Sequence, residues 1–301
     1  MLKKAYYRTR TAIKQAYESN KALPESNPII VYSMRKVGST TLTSTMREAG
    51  HFVYKHHCLN PQFNAELRHA LSRTGFKPQH WLADGANFSK RLEKWRARRE
   101  NGNAEKRLKI FTFVKDPLAI ALSDYFMQLF EFMPQVVAAR KLDTVEGLKH
   151  HFQIVLQTAL EHNSADPATK FLGKLAAMPN VWFERELKAT TGIDVLDTPF
   201  PIEIGYGVYH GHDSDVVLIR TDKLSDVALD AITTLTGNRP TALVEKNVRA
   251  ATPQGELYRS LLDTLSLPPT LVREFYRQPW LNHFYSEVET EDMIAKWSRS
   301  R

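Results

Sequence analysis

Ile29-Ile30-Val31-Tyr32-Ser33-Met34-Arg35-Lys36-Val37-Gly38-Ser39-Thr40-Thr41-Leu42 is the stretch from which the fold of this chain can be read. An apolar run rich in β-branched residues, long enough for a buried strand, stops at the basic pair Arg35-Lys36 and the single Gly38. A Ser/Thr-rich stretch with helical spacing follows, with Leu42, Met46 and Ala49 on one face and Gly50 at its end. The pattern predicts a strand, an anion-binding turn and a helix.

Backbone N–H groups at a helix start have no partner within the helix and sit at the positive end of its dipole, so a phosphate there is stabilised on both counts. Gly38 removes the Cβ that would hold a ligand off the backbone, Ser39, Thr40 and Thr41 add hydroxyl donors, and Lys36 can reach over the turn. The nucleoside-triphosphate loop G-x-x-x-x-G-K-[ST] needs a second Gly followed by Lys, whereas Lys36 precedes the only Gly here. A metal-dependent kinase or ATPase is therefore disfavoured.

Upstream, Pro24-Glu25-Ser26-Asn27-Pro28 reads as a linker that launches the strand. Downstream, Phe52-Val53-Tyr54-Lys55 reads as a second strand and His56-His57-Cys58 as its end. Strand, helix and strand in this order imply a parallel crossover with ligands at the strand carboxyl ends, which puts both histidines beside the loop. The pair has three readings: a metal site with His51 and Cys58, a loop histidine that only hydrogen-bonds, or a general base, since an imidazole titrates near neutrality.

Residues 61 to 100 read as helical with breaks at Gly75 and Pro78; Trp81 and Phe88 are spaced for packing, or for stacking on an adenine. Leu108 to Val114 then leads into Lys115-Asp116-Pro117, with Ile110 to Val114 as a buried strand, Asp116 as a helix cap and Pro117 in the first helical position. This makes a second strand-to-helix turn at the same sheet edge.

Together these elements resemble the PAPS-dependent sulfotransferases, PAPS being 3′-phosphoadenosine 5′-phosphosulfate. Lys36-Val37-Gly38-Ser39-Thr40-Thr41 resembles their 5′-phosphosulfate loop, with Arg35 where Pro is common. Lys115-Asp116-Pro117 with Ser123 and Tyr125 resembles their 3′-phosphate element, with Lys115 in place of an Arg and Ile120 in place of a second one. Trp182-Phe183-Glu184-Arg185-Glu186-Leu187 with Gly192-Ile193-Asp194 is similar to a pattern in a bacterial group of capsular polysaccharide synthesis proteins of that superfamily, and Asn247, Tyr258 and His283-Phe284-Tyr285 resemble its tail.

The resemblance implies an α/β fold with a P-loop-like central parallel sheet flanked by helices, and a helical carboxyl-terminal part. It implies sulfuryl transfer from PAPS to a hydroxyl of a carbohydrate or polysaccharide, with no metal. Arg35, Lys36, Val37, Gly38, Ser39, Thr40 and Thr41 would hold the 5′ end, with Lys36 stabilising the bridging oxygen. Lys115 and Ser123 would bind the 3′-phosphate, and His57, with His56 as second choice, would deprotonate the acceptor. The competing classes are a P-loop kinase acting on a small molecule and a non-catalytic module for polyanions.

The remaining sequence adds limits. With 301 residues, 43% hydrophobic, the chain can bury a full core, and no internal repeat divides it. Its 41 Lys and Arg against 33 Asp and Glu favour anionic partners, but without a nucleic-acid motif the basic run Lys90 to Arg99 reads as a solvated helix face. A lone Cys58, no apolar run of about 18 residues and no signal core suggest a cytoplasmic protein. Residues 1 to 23 read as a basic amphipathic arm, a candidate for contact with the inner membrane surface, and 24 to 301 as one α/β domain. Residues 143 to 162 and 167 to 178 read as two helices forming a lid or acceptor wall. Tyr206 to Arg220 reads as a hairpin whose His210, His212 and Asp213 are turn residues, and Glu184 and Glu186 as solvated helix charges.

Overall fold

A five-stranded sheet forms the centre of the computed structural model, in the order β2-β1-β3-β5-β4. The structure describes residue 23 and residues 27–76, 79–101, 105–244 and 253–299. The strands are β1 (Ile29–Tyr32), β2 (Val53–His56), β3 (Leu108–Val114), β4 (Tyr206–His210) and β5 (Ser214–Arg220). β1, β2, β3 and β5 run parallel, and β4 closes one edge antiparallel to β5, as the hairpin pattern predicts. All four residues of β1 are buried, because an inner parallel strand is covered on both faces and reads as continuous apolar sequence.

Ile30 pairs with Tyr54 of β2 on one side and Ile110 of β3 on the other. The chain thus leaves β1 in one direction and comes back to its other side, which makes the β1/β3 boundary the topological switch point where open α/β sheets bind ligands.

Helix α1 (Ser39–Glu48) follows β1, while α2 (Pro61–Ser72) and α3 (His80–Glu100) lie between β2 and β3. α4 (Pro117–Met127) leaves β3 and ends in a π turn, Gln128–Phe132. α5 (Pro134–Arg140), α6 (Val145–Glu161), α7 (Pro167–Ala176) and α8 (Met178–Trp182) follow, and α8 runs through a second π turn, Phe183–Lys188, to Thr191. After β5 come α9 (Leu224–Thr236), α10 (Pro253–Thr264), α11 (Pro269–Tyr276), α12 (Pro279–Phe284) and α13 (Glu287–Ser298).

One buried apolar cluster extends from Leu23 to Trp297. The basic arm of residues 1 to 20 and Asn247 lie outside the described residues. Among the described residues no helix is long and apolar enough to cross a membrane.

Two helix contacts fix the neighbourhood of the loop. A Cβ at Gly85 of α3 would come within 2.1 Å of the Cys58 carbonyl, so only glycine lets α3 pass this close to the segment after β2. Gly38, at φ 87, caps α1 in the left-handed region, and a Cβ there would meet Leu224 Cδ2 at 3.0 Å.

Candidate transfer site at the tips of β1, β2 and β3

The backbone of the loop is held from two sides. Lys36 and Gly38 are both left-handed, at φ 66 and φ 87, on either side of a fully buried Val37. A lysine in that region costs on the order of 1 kcal/mol, so its surroundings must enforce it. Thr221, just past β5, donates its hydroxyl to the Val37 carbonyl at 3.0 Å, and the Lys115 ammonium, just past β3, donates to the Lys36 carbonyl at 3.1 Å. With both carbonyls bound by neighbouring strand tips, the turn runs into the N-terminus of α1, where anions are favoured.

Arg35 turns away from this surface. Its guanidinium is buried, 3.3 Å from the Asp124 carboxylate of α4, 3.3 Å from Gln79 Oε1, 3.6 Å from Met127 Sδ, and above the Trp81 ring at 4.8 Å. Burial lowers its pKa, with Asp124 opposing the shift. Where the resembled loop is stiffened by proline, this one is held by a tertiary ion pair.

Lys36 reaches the same methionine as Arg35, its ammonium 3.9 Å from Met127 Sδ. A further lysine, which the sequence reading does not single out, joins it: Lys55 of β2 donates to the Thr40 hydroxyl at 2.8 Å. Burial, then the charges of Arg47 and Arg35, bring Lys55 down to about 8. Lys115 is lowered too, by burial first, with Asp116 opposing and Lys296 adding to the shift. Two lysines shifted this way flank one loop, and an anion bound beside them would raise their pKa again. The signal for Lys55 is its place near the end of β2, at the sheet edge where the loop after β1 also lies.

The two histidines have different partners. His57 Nδ1 lies 2.8 Å from the Ser33 carbonyl at the end of β1, and since a carbonyl only accepts, that nitrogen carries the proton and Nε2 keeps its lone pair. Burial, then the Lys55 charge, lower its pKa to about 3, so the ring is neutral at pH 7. His56, the last residue of β2, is stacked on Phe88 at 4.0 Å, and burial with the Arg91 charge brings it to about 3 as well. Trp81 and Phe88 are both buried, Trp81 beneath Arg35 and Phe88 against His56 and Tyr54. Among the described residues no group of His, Cys, Asp and Glu could hold a metal ion.

Behind His57, Glu186 corrects the sequence expectation. It is fully buried rather than solvated, and accepts from Cys58 Sγ and the Leu59 amide at 2.8 Å, from the Asn60 amide at 3.0 Å and from the Tyr32 hydroxyl. Burial raises its carboxyl pKa, and these donors pull against the shift. The segment leaving β2 has buried N–H groups that need an acceptor, and the π turn of residues 183–188 supplies it. Glu184 is exposed and pairs with Lys188 at 3.4 Å.

The turn after β3 completes the arrangement. Asp116 caps α4 through the Leu118 and Ala119 amides, at 2.9 and 3.2 Å, with Pro117 in the first position. The same carboxylate accepts from Tyr276 at 2.5 Å and from the Trp297 indole at 2.9 Å. Ala119, Ser123 and Met127 recur every four residues, so they share one face of α4. Ala119 lines a cavity of about 370 Å³ together with Lys115, Thr221 and Tyr285, and Met127 touches Lys36. Ser123 therefore stands on the strip between that cavity and the Lys36 ammonium. Tyr125 faces inward, its hydroxyl 3.0 Å from His151 Nδ1.

Away from this site, part of the basic run folds inward: Arg96 pairs with Asp213 at 2.5 Å, and the buried Arg99 donates to the Lys106 carbonyl at 2.7 Å. His210 pairs with Asp215 at 2.7 Å. No protein family, no curated protein and no solved structure matches this chain.

Proposed function

We propose that the chain transfers a sulfuryl group from PAPS to a hydroxyl of a carbohydrate or polysaccharide. The reading is carried chiefly by the 3.1 Å hydrogen bond from Lys115 Nζ to the Lys36 carbonyl, which joins two basic strand-to-helix turns at the switch point of the sheet. Two such turns, joined side by side, suit the two ends of one doubly phosphorylated adenosine.

In this reading the acceptor oxygen attacks sulfur as the bond from sulfur to the bridging phosphate oxygen breaks, and the acceptor proton passes to His57 Nε2. The leaving product is 3′-phosphoadenosine 5′-phosphate. Catalysis is then positioning and charge stabilisation. The Lys36 ammonium stands by the oxygen on which charge builds, Lys55 and the α1 amides hold the 5′ end, and Lys115 and Ser123 the 3′ end. Glu186, which fixes the segment after His57, is a positioning residue.

The test is titration calorimetry with 3′-phosphoadenosine 5′-phosphate, 5′-AMP and ATP with Mg²⁺, followed by a direct transfer assay from PAPS to a panel of glycans. Saturable binding that is tightest for the bisphosphate is expected. Preference for ATP with Mg²⁺ would select a kinase, and no saturable nucleotide site would select a polyanion module.

A further inference from the structure

We propose that the outer side of β2 is the docking surface for the acceptor and selects a polysaccharide that carries carboxylates, a uronic acid chain, with Phe52 and Arg91 as its contacts; the inference rests on the transfer reading above. β2 ends the sheet, so among the described residues no strand covers that side. The strand runs from Val53 to His56, next to His57, the proposed base. From Phe52 to His56 is about 13 Å at the rise of a strand, longer than one pyranose ring. A glycan laid along β2 would thus bring one of its hydroxyls to the transfer site.

An aromatic row leads along this side. Phe52 is 70% exposed and meets Tyr54 edge to face at 4.9 Å; Tyr54 packs on Phe88 at 5.0 Å, and Phe88 stacks on His56. The negative face of an exposed ring attracts the C–H groups of a sugar. The Arg91 guanidinium lies over Tyr54 at 5.2 Å and Phe88 at 5.5 Å, and donates to the Tyr54 hydroxyl at 3.4 Å. An arginine held on aromatic rings in this way keeps its other N–H groups for a carboxylate.

The charge around the row is one-sided. Arg47 of α1 donates to the Val53 carbonyl at 2.8 Å and Lys55 to the Thr40 hydroxyl, and among the described residues neither they nor Arg91 pair with a carboxylate. Their neighbours register this: burial first and then Arg47 and Arg35 lower Lys55, burial first and then Arg91 lower His56, and no carboxylate offsets either shift. On α3, Glu93 stands two residues past Arg91 and so on the far side of the helix, while Asp84 is two turns away, about 10 Å. Glu48, next to Arg47, is exposed and sets a single charge against three cations. A neutral glycan leaves that excess unmet, and a uronic acid chain meets it.

The experiment titrates tetramers of glucuronic, galacturonic and mannuronic acid, their methyl esters and phosphatidylglycerol vesicles into the full chain and into Phe52→Ala, Arg91→Gln and Arg91→Lys, with 3′-phosphoadenosine 5′-phosphate as the control ligand. At least one acid tetramer should saturate the chain and its methyl ester should bind about tenfold weaker. Phe52→Ala and Arg91→Gln should each weaken that acid about tenfold with the bisphosphate unchanged, and Arg91→Lys should fall between, because it keeps the charge and loses the fork. Phe52 is exposed, so its variant reads the surface even where Arg91→Gln disturbs the packing. Equal affinity for acid and ester, or an unchanged acid affinity in Phe52→Ala, overturns the surface. Saturable binding of none of the acids also overturns it, and vesicle binding that is then lost in Phe52→Ala assigns the patch to a membrane instead. Bisphosphate bound in either case leaves the donor reading standing. A chain that binds an acid tetramer as described but no bisphosphate keeps the surface and overturns the donor reading.

Discussion

The Lys115 ammonium donates to the main-chain carbonyl of Lys36 across 3.1 Å, so the turn after β1 and the turn after β3 form one hydrogen-bonded unit. Because Lys115 holds the backbone of residue 36, the side chain of residue 36 can be removed without undoing the bridge. Lys36→Ala should therefore fold normally and lose transfer by about 10²-fold or more, the scale on which a charge-stabilising donor acts. Turnover close to that of the unmodified protein, measured directly from PAPS, would end the assignment.

Ser123 stands on the α4 face between Ala119 and Met127. Ser123→Ala should weaken 3′-phosphoadenosine 5′-phosphate by about 1 to 3 kcal/mol, the range for a hydrogen bond to a charged group. Calorimetry giving equal affinities would remove Ser123 from the site.

The two histidines can be told apart by their partners. His57→Ala should lower kcat by about 10² to 10⁴ with bisphosphate affinity intact, as expected for loss of a general base. His56→Ala breaks the stack on Phe88 and should lower stability more than turnover. The reverse pattern, with His56→Ala inactive but stable, would move the base to residue 56.

Burial also makes the histidines sensors of acid. His56 and His57 are lowered to about 3 and His151 to about 4, in each case by burial first. The unfolded chain takes up these protons at about 6.5, so it binds more protons than the native state as pH falls below that value. Stability should be fully present at pH 7 and decline toward pH 4, by about 1 to 2 kcal/mol per histidine at pH 5. Urea midpoints at pH 7 and 5 measure this, and His57→Gln should flatten the dependence. Equal midpoints for the unmodified chain would show that these rings are solvated.

Glu186→Ala leaves the amides of Leu59 and Asn60 without their acceptor, each at about 1 to 3 kcal/mol. Denaturant unfolding should show a loss of about 3 kcal/mol or more, with Glu186→Gln in between. A change below about 0.5 kcal/mol, the range of an ordinary surface substitution, would contradict the burial seen here.

What the sequence discloses is local chemistry. The β-branched run into Gly38 marks β1 and its turn, and Asp116-Pro117 marks the start of α4, because strand burial, left-handed glycine and helix capping each act within a few residues. The hairpin is legible for the same reason. Side chains whose partners lie far along the chain are not. Arg35 reads as part of the loop that holds the 5′ end until Asp124 and Met127 are seen beside it. Glu186 reads as a solvated charge because nothing nearby in sequence announces the amides it accepts. His56 and His57 are adjacent, and only the folded chain shows that one stacks on Phe88 while the other donates to the Ser33 carbonyl.

The tether of Arg35 to Asp124 carries a physiological consequence. A proline keeps a turn stiff by its own covalent ring, whereas here the entry to the loop is held by the docked end of α4, beside the hydrogen bonds from Lys115 and Thr221. Warming that loosens the π turn at residues 128–132 should loosen the entry to the loop before the sheet itself gives way, and with it binding of the proposed donor. The proposed transfer would then fail on heating while the spectroscopic signature of the sheet still looked native.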